Sequence, residues 1–536
     1  MGQMNDRRSK VLLGGLTLAT LLPFLNKAYD IDDPLFLWMG QQIMRQPFDP
    51  YGGIVHWSSL AQPMWVAMQN PPLCSYYIAA VGSFAGFGEA VMHGAFLLPA
   101  IAAVLGTFAL AKRLCRSPLT AASLTLFTPV FLISASHVMC DVMLLAFWLW
   151  AIHFWLAGLD GEKWRLLLVS AVLISGATLT KYFGVSLIPL LLVYTLMRER
   201  RISLHLSYLT IPLLVALGFE LITRAKYEHA LFSSAMFYLR DVAVEVRIPI
   251  QIKLLTGCSF VGGSMIGAMF LIPVRSAKAL LGGIGFLLLI GALFWTCVPM
   301  PADLGVNELV VRLQGCLFAT IGASLLALAI WDFRISQDAE SLLLLLWTTG
   351  TFAFVALLNW SITARTILPM TPAVSILLMR YWDRTGEGKL TNLTKLRWTS
   401  AAAVVSLIVA GADYSEAGAS RAGARYFQKR FGRKQVQVWF QSHWGFQFYM
   451  EQWKAKPLIQ KVPINPGDLL IVPSNNADPV PIPNAVPVVE ITRPIMPLVA
   501  TFAPATGAGF YSSVRGPVPW AIAHTAPARF EAFKFR

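Results

Sequence analysis

The chain has 536 residues, of which 56% are hydrophobic and 13% are charged, and its net charge at pH 7 is +15. Soluble domains carry about a quarter charged residues, so the composition excludes a purely cytosolic globular enzyme and a disordered chain, and predicts an integral membrane protein. The positive balance is typical of cytoplasmic loops that orient membrane helices, an explanation that we favour over nucleic-acid binding.

Apolar segments recur over the first 412 residues and predict about thirteen membrane helices. The first follows a basic start and resembles a signal sequence without a cleavage site, so we expect it to be retained with its N-terminus in the cytoplasm. Lys181 alone separates the fifth segment from the sixth, which are two helices or one broken helix. The segments are 11–26, 90–111, 119–136, 142–158, 166–180, 182–197, 206–223, 252–273, 277–297, 310–330, 341–358, 367–381 and 398–412.

The stretch from Pro71 to Phe87 is short and opens with two prolines. If it lies in the membrane interface, the basic clusters fall on the cytoplasmic side, and the first outer loop, 27–88, keeps only Lys27 and Arg45. We therefore predict that this stretch does not span and that the C-terminus is outside. The clusters are Arg7, Arg8, Lys10, Lys112, Arg113, Arg116, Lys163, Arg165, Arg198, Arg200, Arg201, Arg275, Lys278, Arg334, Arg380, Arg384, Lys389, Lys395 and Arg397.

From residue 413 the composition changes to mixed polar and aromatic residues with many prolines. Short runs with strand character occur at Leu469–Pro473 and Val486–Ile491. We predict a small α/β domain over 413–536 on the outer face, after a membrane domain over 1–412.

Three carboxylates, Asp30, Asp32 and Asp33, directly follow the first span. Asp33-Pro34 has the pattern of a helix N-cap and first residue, and predicts a helix to about Arg45, so one alternative is a capping cluster. The functional alternative is that Asp32 or Asp33 is a general base or metal ligand. His56 follows in polar surroundings and is a further candidate for a supporting role.

Asp141, Lys181 and Arg365 lie in or beside later apolar segments and, by the predicted topology, on the outer side. A charge near the membrane core costs about 2.5–3.5 kcal/mol on insertion scales and is functional by default. The alternatives are a headgroup-level carboxylate and a snorkelling arginine. His137 precedes Asp141 by about one helical turn. Together these charges suit a lipid-phosphate leaving group, because a carboxylate would activate an acceptor hydroxyl while the cations stabilise the phosphate.

In this order, the motifs resemble those of the GT-C glycosyltransferases of the protein O-mannosyltransferase and lipid A aminoarabinose transferase type. Asn70 stands where the aminoarabinose transferases have a Lys, and Asp33 where others have a Glu. The similar elements are Asp32-Asp33 in the first outer loop, Asn70-Pro71-Pro72-Leu73, Asp141 in the second outer loop, Leu179-Thr180-Lys181, and Arg365-Thr366-Ile367-Leu368-Pro369.

The resemblance implies an inverting GT-C enzyme that moves a sugar from a polyprenyl-phosphate donor to a protein, lipid or glycan acceptor on the outer face, here of a bacterial plasma membrane. It implies that Asp32 is the base or a metal-linked carboxylate, with Asp33 and Asp141 completing the acidic site. A divalent cation at Asp32 and Asp141 is left open. The donor phosphate would be held by Lys181, Arg365 and Asn70. Asp30, His137 and His56 are further candidates for supporting residues of the site.

The alternative function is a secondary transporter or flippase for a lipid-linked or anionic solute, which would use the same charges as a pathway. Transporters usually show repeated halves and charges near the midplane of the membrane. This sequence has no internal repeat, and its charges cluster at one face of the membrane. It also has a long first outer loop and a C-terminal outer domain. The pattern therefore favours an enzyme.

Overall fold

The computed structural model describes residues 5–57, 60–235, 248–271, 277–385, 391–433, 436–459, 463–476 and 484–536. Within them, seven helices are long and apolar enough to cross a membrane, and an eighth is counted if a pair bent by 63° at residues 127–128 is one span. The chain is therefore an integral membrane protein. Arg275, Lys389 and the end of the predicted segment 252–273 lie outside the described residues.

The predicted segments are mainly helical where they are described, but the predicted count of about thirteen spans is not confirmed. Several apolar helices have fewer than the roughly 17 residues that a perpendicular span needs. The helices are Asp6–Leu21, Asp33–Arg45, Met64–Ala67, Leu73–Ala85, Glu89–Leu114, Pro118–Leu126, Pro129–Ala135, Cys140–Asp160, Trp164–Thr180, Leu187–Glu199, Thr210–Tyr227, Ile250–Ser264, Ala277–Cys297, Glu308–Ser336, Ala339–Ala353, Ala364–Ile367, Thr371–Thr385, Asn392–Phe431 and Trp444–Gln452.

Shorter helical turns connect or extend these helices. They are the 3-10 turns Leu22–Phe24, Tyr182–Ser186, Leu204–Leu209, Ile266–Leu271, Gly305–Asn307 and Leu368–Met370 and the π-turn Phe354–Leu358. The helix Leu73–Ala85, in the stretch predicted not to span, has 13 residues. It is roughly 20 Å long, against about 30 Å for the hydrocarbon core, which agrees with an interfacial position.

The chain reverses direction after Lys181. A Cβ at Gly184 would lie 2.3 Å from the carbonyl carbon of Ala177, so the turn Tyr182–Ser186 packs directly on the preceding helix. In a continuous helix these two residues would be roughly 10 Å apart along the axis. Segments 166–180 and 182–197 are therefore two helices, and Lys181 lies at the fold between them.

The last of the membrane helices, Asn392–Phe431, has 40 residues and is called here the last helix. It is roughly 60 Å long, about twice the hydrocarbon thickness, so it extends well beyond the membrane core. The predicted domain boundary at residue 412 falls inside this helix. The helix continues past the point where the composition becomes more polar, because the alanine-rich stretch after residue 412 still favours helix.

Strands follow the last helix, and the predicted runs Leu469–Pro473 and Val486–Ile491 both lie in strands. A five-stranded sheet has the order Lys456–Pro457, Val438–Phe440, Leu469–Pro473, Ala528–Phe535 and Ala485–Arg493. The first three strands are parallel and the remaining pairs are antiparallel. Two short pairs complete the strands, Ile54–Val55 with Gln62–Pro63 and Val499–Ala500 with Ala521–Ile522. The predicted fold class, apolar helices followed by a C-terminal region with strands, is confirmed.

Candidate functional site

The first-loop carboxylates are separated by a strained turn at Ile31. This β-branched residue has φ 50°, a left-handed conformation that such residues rarely adopt. Gly445 lies against the turn, because a Cβ there would be 2.0 Å from the carbonyl oxygen of Tyr29. The turn points Asp30 and Asp32 to different partners: Asp30 accepts from the Gly445 amide at 3.3 Å, while Asp32 contacts Arg365. Strain of this kind is concentrated at functional sites.

The helix that follows runs from Asp33 to Arg45, as predicted, but its N-cap is Asp32 and not Asp33. The Asp32 side chain makes no capping hydrogen bond, so it is free to reach across to another helix. The prediction of Asp33 as N-cap is therefore wrong by one residue. The Asp33 carboxylate accepts hydrogen bonds from other donors.

Four predicted residues form one chain of ion pairs, called here the ion-pair chain: Asp32, Arg365, Asp141 and Lys181. Arg365 Nη2 lies 2.7 Å from Asp32 Oδ2, and its Nη1 lies 3.7 Å from Asp141 Oδ2. Lys181 Nζ lies 2.7 Å from Asp141 Oδ1. Two carboxylates and two cations balance, which offsets the cost of burying charge. The Asp32 side chain is 30% exposed whereas that of Asp141 is 3% exposed, so a substrate reaches Asp32 more readily.

Behind the ion-pair chain lies a buried polar network, defined by Lys27, Asp33, His137, Asp413 and Tyr511. Lys27 pairs with Asp413, and His137 Nδ1 lies 3.0 Å from Asp33 Oδ2. The Tyr511 hydroxyl donates to Asp413 at 2.5 Å and lies 2.6 Å from His137 Nε2. The network joins the first loop, the last helix and the C-terminal region in one place.

Asp33 is fully buried, and its carboxylate already has three donors. It accepts from His137 Nδ1 at 3.0 Å, from the Val138 amide at 2.8 Å and from the Asp30 amide at 3.0 Å. Burial raises the pKa of Asp33, but His137 and Lys27 hold it below its ordinary value. These contacts suit a positioning role for Asp33 beside Asp32, because a carboxylate occupied by three donors has little capacity left for a substrate proton.

Tyr511 links the buried polar network to the ion-pair chain. The Arg365 guanidinium lies over its ring at 5.5 Å from the centroid, a cation–π geometry. The backbone beside it is anchored as well, since the Ala364 amide donates to the Phe510 carbonyl at 2.8 Å. The C-terminal region thus contacts both the Arg365 guanidinium and the backbone of the preceding residue.

The other candidates lie apart from the ion-pair chain. The carbonyl of Asn70 accepts from the Tyr51 hydroxyl at 2.8 Å, and Asn70 is not among the residues that line the space around Lys181 and Arg365. Asp30 is turned away, and burial raises its pKa to about 6. His56 lines a separate polar cavity beside the helix Asp33–Arg45. His137 belongs to the buried polar network, where its ring nitrogens face Asp33 and Tyr511.

The sequence analysis missed Lys27, Asp413 and Tyr511. Lys27 and Asp413 carry the same signal as Lys181, a charge at the edge of an apolar segment, but placing the boundary at 412 assigned Asp413 to the outer domain. Tyr511 has no such signal, because tyrosines are common in protein interiors and at membrane interfaces.

An apolar cavity of about 460 Å³ opens among the membrane helices next to the ion-pair chain. Its wall includes Trp148 and Trp347, whose side chains are buried. Phe183 and Phe354 line both this cavity and the narrow space that holds Asp141, Lys181 and Arg365. Phe183 and Phe354 therefore stand between the apolar cavity and the space that holds the two cations.

The residues present do not fit a divalent cation at Asp32 and Asp141. The Arg365 guanidinium bridges the two carboxylates, so a positive group already occupies the space between them. Among the residues that the structure describes, no cluster of three or more His, Cys, Asp or Glu is placed to hold a metal ion.

Comparison with solved structures finds distant similarity to an archaeal oligosaccharyltransferase and to the bacterial protein ArnT. An archaeal oligosaccharyltransferase, AglB from Archaeoglobus fulgidus in complex with an inhibitory peptide and a dolichol-phosphate, is 12% identical, with 85% of this chain and 64% of that chain covered and a TM-score of 0.47. ArnT from Cupriavidus metallidurans, bound to undecaprenyl phosphate, is 14% identical, with 87% and 93% covered and a TM-score of 0.42. This chain thus spans about two thirds of the length of the archaeal enzyme. A further structure of the Archaeoglobus enzyme is a complex with Zn and sulfate.

No curated protein matches the chain. Residues 69–222 match the family model described as dolichyl-phosphate-mannose-protein mannosyltransferase. This range contains Asn70, Asp141 and Lys181 but not Asp32 or Arg365. The match confirms the resemblance inferred from the motifs and the predicted kind of enzyme, a glycosyltransferase: over residues 69–222, this chain is similar to a family of mannosyltransferases.

Proposed function

We propose that this chain is an inverting glycosyltransferase that moves a sugar from a polyprenyl-phosphate donor to an acceptor on the outer face of a bacterial plasma membrane. The observation that carries the proposal is that the narrow space holding Lys181 and Arg365 shares Phe183 and Phe354 with an apolar cavity between membrane helices. A lipid phosphate needs both features in one place, an apolar wall for its chain and cations for its headgroup. The description of the matching family names such a donor.

In this proposal the isoprenoid chain enters the apolar cavity and the phosphate competes with the carboxylates for the two cations. The pairs with Asp32 and Asp141 keep Arg365 and Lys181 neutralised until a donor arrives. When the donor phosphate takes over Arg365, the Asp32 carboxylate is released. Donor binding thereby frees the base.

The freed Asp32 takes the proton of the acceptor hydroxyl, and the hydroxyl oxygen attacks the anomeric carbon of the sugar as the bond to the phosphate oxygen breaks. Arg365 and Lys181 stabilise the charge that develops on the leaving polyprenyl phosphate. Asp33 and His137 hold the loop that carries Asp32. The topology that we propose, with the N-terminus in the cytoplasm and residues 413–536 outside, places this site at the outer face.

Donor turnover in proteoliposomes tests the proposal. Labelled polyprenyl-phosphate sugars are supplied with a cell-envelope extract, and the release of polyprenyl phosphate is measured for the wild type, Asp32→Asn and Asp141→Asn. We expect losses of roughly 100-fold or more for Asp32→Asn, since general base catalysis contributes about that much. Asp303→Asn, an exposed acid at residue 303 between two membrane helices, is the matched control and should retain full activity.

The transporter alternative predicts a different result in the same vesicles. Wild-type activity that survives in folded Asp32→Asn contradicts the assignment of the base. An absence of turnover with every donor, together with charge-dependent movement of lipid across the bilayer, would favour the transporter.

A further inference from the structure

A second, mainly polar cavity of about 290 Å³ lies beside the helix Asp33–Arg45, outside the apolar helices. Its walls come from that helix, from residues 53–56 around the strand Ile54–Val55 and from the helix Trp444–Gln452. Its lining includes Trp38, Gln41, Arg45, His56, Gln447 and Glu451. None of these six belongs to the ion-pair chain or to the buried polar network.

Gln447 points to a ligand in this cavity. Its side chain is fully buried, and its amide nitrogen donates at 2.8 Å to both the His56 carbonyl and Glu451 Oε1. Its Oε1 atom is buried without a hydrogen-bond partner among the described residues. A buried acceptor left without a donor costs free energy, and a ligand hydroxyl or amide would satisfy it.

The remaining walls fit a neutral, hydroxyl-rich ligand. The Gln41 side-chain amide supplies donors and an acceptor, and Gln447 supplies its Oε1 acceptor. Trp38 adds an aromatic side chain to the wall, the kind of group on which pyranose rings rest. Arg45 and Glu451 carry opposite charges, and burial lowers the pKa of His56, which favours its neutral form. The lining thus has no net charge that would select a phosphate or another anion.

The cavity lies far enough from Asp32 to bind a part of the substrate away from the reacting centre. Trp38 and Arg45 lie roughly 8 and 18 Å from the start of the helix that Asp32 caps. A short oligosaccharide spans that separation, whereas a single sugar at the reacting centre does not. We propose that this cavity binds a neutral oligosaccharide, which in an enzyme of the proposed function is part of the acceptor. The identification as acceptor rests on the proposed function, while the binding site itself does not.

Binding is tested with the full chain in lipid nanodiscs and an array of neutral oligosaccharides of two to four hexose or N-acetylhexosamine units. We expect at least one to bind, and Gln447→Leu to weaken its binding roughly tenfold or more, because the ligand loses a buried hydrogen bond. Gln41→Ala, which shortens a half-buried side chain of the cavity wall, provides a second test if Gln447→Leu does not fold. Gln452→Leu, an exposed position on the same helix as Gln447, is the control and should bind as the wild type does.

The possible outcomes separate the two proposals. No binding, binding restricted to phosphorylated or acidic glycans, or binding unchanged in folded Gln447→Leu and Gln41→Ala overturns the site. Asp32→Asn should still bind the oligosaccharide while losing transfer. If the wild type binds it but turns over no donor, the cavity assignment stands and the proposed function fails.

Discussion

Lys181 pairs with the almost completely buried carboxylate of Asp141. A substitution of Lys181 therefore affects both stability and transfer, and the two effects have to be measured separately. Lys181→Met leaves Asp141 with only the longer contact to Arg365, and we expect a loss of about 3 kcal/mol or more in the free energy of unfolding. The double variant Lys181→Met with Asp141→Asn removes both charges and should recover most of that stability without recovering transfer. Thermal unfolding in detergent and donor turnover measure the two effects. Transfer regained in the double variant would show that Lys181 is only a counterion.

Asp30 makes the stability of the folded protein depend on pH, and the substitution Asp30→Asn removes this contribution. Because burial raises its pKa to about 6, the folded protein holds this proton more tightly than the unfolded chain, whose carboxyl group titrates near 4. Its contribution to stability is therefore full below about pH 4 and is lost as the pH rises through about 6. Asp30→Asn has no such proton and keeps an oxygen for the Gly445 amide. The unfolding temperature of the variant should rise relative to that of the wild type at about pH 8 but not at about pH 4. The same difference in unfolding temperature at both pH values would contradict this.

Single residues also show how far the sequence alone predicts the site. Asp141, Lys181 and Arg365 stand out in the sequence because a buried charge in apolar surroundings needs a partner. The structure brings these three residues together with Asp32. This requirement says nothing about which charge pairs with which, because partners lie far apart in sequence. Asn70 and His56 have no such constraint, and whether they serve the proposed roles stays a prediction.

The turn Tyr182–Ser186 places Lys181 because it packs on the helix Trp164–Thr180 without a side chain at Gly184. In Gly184→Ala the added carbon would overlap the Ala177 backbone, so the turn has to move and Lys181 with it. We expect a loss of about 1–3 kcal/mol in stability and a marked loss of transfer. Gly94→Ala, on a membrane helix with open space around the added carbon, is the matched control. Normal activity in folded Gly184→Ala would mean that the turn does not position Lys181.

The helices and strands were predicted well where hydrophobic periodicity and the length of an apolar segment determine the structure. They were predicted less well elsewhere. The strands at Leu469–Pro473 and Ala485–Arg493 follow from β-branched runs between prolines and turns. The end of the last helix at Phe431 does not follow from hydrophobicity, because its final turns are polar and lie beyond the membrane core. The predicted number of spans stays unconfirmed for a related reason, since apolar composition does not reveal whether a helix is long enough to cross.

Tyr511 connects the C-terminal region to the proposed catalytic side of the molecule. Tyr511→Phe keeps the ring beneath Arg365 but removes the hydroxyl that contacts Asp413 and His137. We expect it to cost about 1–3 kcal/mol in stability while leaving most of the transfer activity. Tyr511→Ala also removes the ring and should lose transfer. Turnover and unfolding of the two variants side by side decide this, and an active Tyr511→Ala would show that the Tyr511 ring does not hold Arg365 in place.

The pairing of Lys27 with Asp413 also constrains how the protein is made. The two residues are 386 positions apart, and Lys27 is completely buried in the finished molecule. At synthesis rates of about 5–20 residues per second, Lys27 leaves the ribosome roughly 20–80 s before its carboxylate does. During that interval a charged side chain waits at the membrane without its partner. A chain cut short before the last helix never supplies this carboxylate, and we expect it to be degraded faster than the full chain.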